Sequence, residues 1–281
     1  MHIVPHKEER MNISMTCTDM TKLREKAPVI FRGPWEECFS KIASLGYDGA
    51  EVHIHDSSCI DRKELKRKLD QAGLKLTSIG TGTAYGWDHL SLTSADGYVR
   101  QQAVDRLKEH ILTAADYDHA VVIVGLIRGK VAECEGRAEY EARLLAGLKE
   151  CADYGARYGV VLGVELLNRY ECDYANNIDE GLEMLDQVGS PNLQLHLDTY
   201  HMNIEEGDIR KAILKAAGRI GHVHIADNDR WYAGHGHYDF KETVEALREA
   251  GYDYALAVES LYYPDPETSA SHTYEVLKNL I

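Results

Sequence analysis

With 281 residues and 31.6 kDa, the chain exceeds a typical single domain but lies within the range of an α/β barrel kept as one unit. Its 44% hydrophobic and 27% charged residues supply a sizeable core and argue against a disordered chain. A net charge of -15 repels phosphate backbones and anionic headgroups, which sets nucleic acid and membrane surfaces aside as expected partners.

The first ten residues, MHIVPHKEER, read as a polar leader without the apolar run of a signal peptide. Nowhere do about 18 apolar residues follow one another, so a soluble, cytoplasmic protein is expected. The 6 cysteines form no CxxC pair, and reduced thiols are the simplest reading.

From residue 11 onward, short runs rich in Val, Ile and Leu alternate with segments of helical periodicity. The first strand is NISMTC (12–17), with the helical WEECFSKIASLG behind it; the second is GAEVHIH (49–55), followed by RKELKRKLDQAGL. The third, KLTSIGT (75–81), leads into a long polar and aromatic loop, residues 82–96, of the kind that forms lids. AVVIVGLI (120–127), VVLGVELL (160–167), LQLHLDT (193–199), GHVHIAD (221–227) and YALAVES (254–260) complete the set. Several helices close on a glycine, as in LDQVGS, ILKAAGR and ALREAGY.

Eight strand-then-helix units, with strands apolar on both faces, imply a parallel sheet covered by helices and closed on itself. The expected fold class is α/β, a single (β/α)8 TIM barrel spanning residues 11–281 as the catalytic domain. An open doubly wound sheet fits less well, because no GxGxxG follows the first strand.

Barrel chemistry sits at the C-terminal ends of the strands. Strand five ends in Glu165, strand six in Asp198, strand seven in His224 and strand eight in Glu259. Any one of these has an ordinary reading as a helix cap, a rim ion pair or a core histidine. Four on successive strands, at one depth, read instead as the ligands of a single divalent metal, whose charge would offset three carboxylates. The oxygen-rich donor set favours Mn2+, with Mg2+, Co2+ or Zn2+ as alternatives. Arg128 and Lys130 after strand four stay open between meeting an anion and facing solvent.

Longer motifs carry a resemblance. VELLNRYE (164–171), LDTYHMNIEE (197–206), HVHIADNDRW (222–231), GHGHYDF (234–240) and VES (258–260) resemble the xylose-isomerase-like barrel superfamily, in particular its ketose 3-epimerases of the D-tagatose and D-psicose type. GTGTAY, LSLT and GLIRGK look like the subgroup that includes 5-keto-L-gluconate epimerase.

The resemblance implies metal ligands at Glu165, Asp198, His224 and Glu259, the same four that the strand ends select. It implies substrate contacts at Glu171, His201 and Arg230. Glu165 and Glu259 would be the catalytic pair, one removing the proton beside the carbonyl of a keto sugar or keto sugar acid and the other returning it to the opposite face. Tyr85, Trp87 and Trp231 are candidates for a wall against the sugar, and Glu205 and Glu206 for the start of the next helix. The alternative on the same metal site is a lyase or dehydratase acting on an oxo-sugar, including C-glycoside cleavage. An AP endonuclease-like nuclease is more distant, since strands three and four end in SIGT and GLIRG without histidines, although His53, His55, His235 and His237 are spare. A small-molecule substrate is the expected partner, and a homo-oligomer stays open.

Overall fold

The computed structural model describes residues 10–20, 23 and 27–281; the polar leader expected at residues 1–10 lies, Arg10 excepted, outside the described residues. Among the described residues nine strands form one parallel sheet: β1 (Asn12–Thr18), β2 (Phe31–Arg32), β3 (Gly49–His53), β4 (Lys75–Gly80), β5 (Val121–Val124), β6 (Leu162–Glu165), β7 (Leu193–Asp198), β8 (Ile220–Ile225) and β9 (Ala255–Val258). Neighbours pair in parallel from β3 to β9, and β1 pairs with both β3 and β9. That closes an eight-stranded barrel, the expected fold, built from all eight predicted strands. The extra strand, β2, continues the sheet beside the end of β1 through Cys17↔Phe31 and Thr18↔Arg32. Two residues carry no readable periodicity, and the first helix therefore follows β2 rather than β1.

The helices are α1 (Trp35–Ser44), α2 (Arg62–Ala72), α3 (Gly82–Gly86), α4 (Gly97–Ala114), α5 (Arg137–Ala156), α6 (Ile178–Val188), α7 (Thr199–Glu205), α8 (Ile209–Lys215), α9 (Phe240–Glu249) and α10 (Pro266–Leu277). Their ends follow local chemistry. Asp61 accepts the Lys63 and Glu64 amides to start α2, and Gly73, at φ 69, stops it in the left-handed region that a side chain resists. Among the described residues no helix is long and apolar enough to cross a membrane.

Alternation along the strands decides what fills the barrel. His196 precedes Asp198 by two residues and His222 precedes His224 by two, so both rings point inward one step deeper than the strand-end residues. Gly163 holds the equivalent place below Glu165, where a Cβ would come 3.2 Å from the His196 Cβ. The glycine makes room for the buried imidazole.

Two expectations need correction. Residues 82–96 are no free loop: they begin with α3, bury Leu90 and Leu92, and tie the Leu92 amide to the Ile127 carbonyl at 2.9 Å. Arg128 meets neither anion nor solvent. It is fully buried, donates to the Glu165 carbonyl at 2.8 Å and to the Tyr174 carbonyl, and lies on the Cys172 sulfur at 3.0 Å. It clamps the loops after β5 and β6, because those carbonyls would otherwise be buried without donors.

Candidate active site

Four consecutive strands deliver the site. Glu165 closes β6, Asp198 closes β7, His224 lies in β8 and Glu259 follows β9, each buried, with one potential ligand atom from each lying within 4.8 Å of the others. Asp198 also starts α7: its Oδ1 accepts the Tyr200 amide at 2.8 Å, which leaves Oδ2 for the site. His224 Nδ1 stands 3.4 Å from Glu259, 3.7 Å from Asp198 and 3.9 Å from Glu165, and has no hydrogen-bond partner. Its Nε2 turns the other way, 2.9 Å from Glu51.

Arg230 sits in the loop after β8 at φ 68 and spans the group, donating to Asp198 through Nη1 and to Glu259 through Nη2. Its guanidinium lies over the Tyr200 ring at 4.9 Å. The three carboxylates, whose charge a metal was expected to offset, thus also face a protein counter-charge in Arg230. The contact sorts the two glutamates. Burial and the neighbouring Glu259 push Glu165 up to about 8. Burial pushes Glu259 the same way, but His224 and the directly bonded Arg230 outweigh it and hold its carboxyl below the ordinary value. Against the same burial, Arg230 and His201 hold Asp198 well below.

His201 lies on α7, 3.7 Å from Glu165 through Nε2. Its Nδ1 accepts from the Asn168 side chain at 2.8 Å, which leaves the ring proton on Nε2, facing the cavity. Burial lowers its pKa to about 4, so the ring is a neutral donor. Asn168 also donates to Glu171 at 3.3 Å, and burial raises the Glu171 pKa. A cavity of about 390 Å³ opens over these groups, lined by Glu165, Glu171, His201, His224, Arg230 and Glu259, with Val29, Trp87 and Leu126 among its apolar walls. Trp87 is the one candidate wall aromatic that reaches it. The Tyr85 hydroxyl bonds Glu133, and the Trp231 ring packs on Tyr263 at 5.6 Å.

Glu205 and Glu206 do not serve the next helix. Glu205 pairs with Arg169 at 2.6 Å, Glu206 accepts the Ile178 amide at the start of the preceding α6, and Asp208 caps α8. Sequence reading also passed over Glu51, His196 and His222, all fully buried. For His196 and His222 the available signal was parity, since each lies two residues before an inward-facing member of the site and must itself face inward. Of the spare histidines, His53 lines the cavity and bonds Glu51, whereas His55 and His235 pair with Asp88 and Asp229.

The profile of the xylose isomerase-like TIM barrel family matches residues 39–280. The chain belongs to this family. Among its relatives, the L-ribulose 3-epimerase of Methylomonas sp. (strain DH-1) is 32% identical over 263 residues, covering 90% of this chain and 89% of that protein. The D-psicose 3-epimerase of Agrobacterium fabrum is 30% identical over 234 residues, with 81% and 78% covered. The crystal structure of a Methylomonas sp. D-allulose 3-epimerase in complex with D-allulose superposes with a TM-score of 0.79 at 26% identity, covering 97% of this chain and 98% of that one. These family members are 3-epimerases by name, a class of isomerase, and the match to them runs nearly the length of the barrel.

Proposed function

We propose that the chain is a divalent-metal-dependent ketose 3-epimerase acting on a keto sugar or keto sugar acid, with Mn2+ as the favoured ion. The observation that carries this reading is the placement of Glu165 and Glu259 on the outer two of four adjacent strands, with Asp198 and His224 between them. The residues fit a divalent ion: His224 Nδ1 is a buried nitrogen without a partner, and it faces three carboxylates. Glu165, Asp198, His224 and Glu259 would hold it. Bound there, the ion would act as a Lewis acid that steadies the substrate oxyanion beside the reacting carbon.

The chain's own groups do the proton work. One glutamate takes the proton from C3 as the C–H bond breaks, and its electron pair is delocalised onto the carbonyl oxygen. The other, flanking the opposite face, gives a proton back to C3 and inverts it. His201 donates its Nε2 proton to a sugar oxygen, Glu171 accepts from a hydroxyl, and Arg230 neutralises developing negative charge. Trp87 and Leu126, on the apolar wall of the cavity, limit water on that side of the reacting carbon.

The test is a panel of keto sugars, keto acids and their phosphates in D2O with Mn2+, followed by NMR. Deuterium at C3 together with the C3 epimer supports the reading. Loss of a substituent in place of the epimer turns it to the lyase alternative, and no exchange with any of them removes it.

A further inference from the structure

We infer that Glu51 is a positioning residue, which holds the His224 imidazole with Nδ1 aimed at the three carboxylates. The inference rests on the metal reading above. Glu51 lies mid-strand in β3, without solvent exposure, and faces the barrel axis. Its carboxylate collects donors from four side chains: Ser78 Oγ at 2.5 Å, His53 Nε2 at 2.9 Å, His222 Nε2 at 2.9 Å and His224 Nε2 at 2.9 Å.

An ionised carboxylate can only accept, so the His224 nitrogen facing it must carry the hydrogen. A neutral imidazole has one such hydrogen, and the lone pair is then on Nδ1, the atom that faces Glu165, Asp198 and Glu259. Four donors fill the acceptor capacity of two oxygens, which leaves Glu51 none for an ion or a sugar. It therefore acts through His224, as partners behind metal-ligating histidines do. Its reach extends further, because His53, fixed by the same carboxylate, also stands 4.0 Å from Glu259. Glu51 thus braces a member of the site on β8 and a neighbour of the one after β9.

The full-length protein, Glu51→Gln and His224→Ala are titrated with Mn2+ by calorimetry, with thermal unfolding of the metal-free proteins measured separately. Gln keeps the size but retains one acceptor oxygen and turns an NH2 toward an imidazole N–H. The expected result is one Mn2+ per parent chain, none tightly held by His224→Ala, and an affinity about 10–100-fold weaker in Glu51→Gln. In parallel, 15N-histidine NMR of the Zn2+-loaded parent should show His224 protonated at Nε2 and coordinated through Nδ1, and the variant should lose that single tautomer. A parent that binds no metal overturns the metal reading itself. A parent that binds while Glu51→Gln binds equally well, with the same tautomer, overturns only the role of Glu51. Should the variant not fold, the parent spectrum decides alone: coordination through Nε2 overturns the inference.

Discussion

The two halves of the barrel rim end differently. β6 and β7 finish in Glu165 and Asp198, β8 one residue past His224 and β9 one residue before Glu259, whereas β4 and β5 finish at Gly80 and one residue before Gly125. The glycines of the bare strands are matched to the side chains that lie against them. A Cβ on Gly80 would come within 2.6 Å of the His53 ring, and a Cβ on Gly125 would lie 2.6 Å from Glu165 Oε2. The glycines leave space in which the His53 ring and the Glu165 carboxylate lie, and the apolar side chains Val29, Trp87 and Leu126 wall the remaining cavity. One half concentrates charge, the other supplies room. A ketose needs both, because proton transfer asks for fixed donors and the carbon skeleton asks for volume.

The comparison is broken most severely by removing a carboxylate from the charged half. Glu165→Gln and Glu259→Gln should each lower net epimerisation by about 10³-fold or more, the upper range for a lost acid–base group. With bound metal verified, the remaining glutamate should still exchange a proton with D2O on its own side, so one variant exchanges the substrate epimer and the other the product epimer. Identical exchange by both variants would indicate a single base. His201→Ala should come next, with kcat/KM down about 10²-fold and metal content unchanged, since its Nε2 faces the cavity while Nδ1 is held by Asn168. Loss of metal from that variant would place His201 among the ligands.

The bare half is tested by filling it. Gly125→Ala puts a methyl where the Glu165 carboxylate lies, and a flexible carboxylate moves at small cost to the fold. A displacement of that size should lower kcat by about 10–100-fold, with little change in the thermal midpoint. An unchanged kcat would mean that Glu165 does not need its place against the glycine.

Much of this was legible in the chain. Apolar runs of six to eight residues between helical segments announced eight strands, and chemistry-bearing residues at their ends announced the site. What stayed hidden depended on contacts distant in sequence. Glu206 caps a helix that begins 28 residues earlier, and Arg128 binds carbonyls 37 and 46 residues later. Glu51 sits inside an apolar run, where its meaning depends on which face of β3 is inward. That face is set by register with β4, which shifts at a bulge between Ala50 and Glu51. Arg230 as counter-charge was equally unreadable, because its inward turn depends on a left-handed backbone after β8.

The smallest expected effect is on stability, and it separates the charged half from the rest of the protein. In metal-free protein, Glu165 is raised from 4.5 to about 8. The folded chain then holds a proton that the unfolded chain releases, so this contribution is complete below pH 4.5 and is lost as pH rises through about 8. Buried His196, His201 and His222, all lowered by desolvation, work the other way: their contribution falls as pH drops below the unfolded value of 6.5. Between pH 6.5 and about 8 those three are neutral in both states and drop out. His224, raised above 6.5 because Glu51 and Glu259 outweigh its burial, adds to the loss as pH rises. The midpoint of thermal unfolding in chelator should therefore fall across this window. Glu165→Gln, which cannot titrate, should flatten the fall to the part that His224 contributes. Saturating Mn2+ should reverse it, because ligands must deprotonate to bind and affinity grows with pH. A midpoint that rises with pH in chelator, or the same slope in Glu165→Gln, would mean that Glu165 is already ionised at neutral pH and that Arg230 serves both glutamates alike.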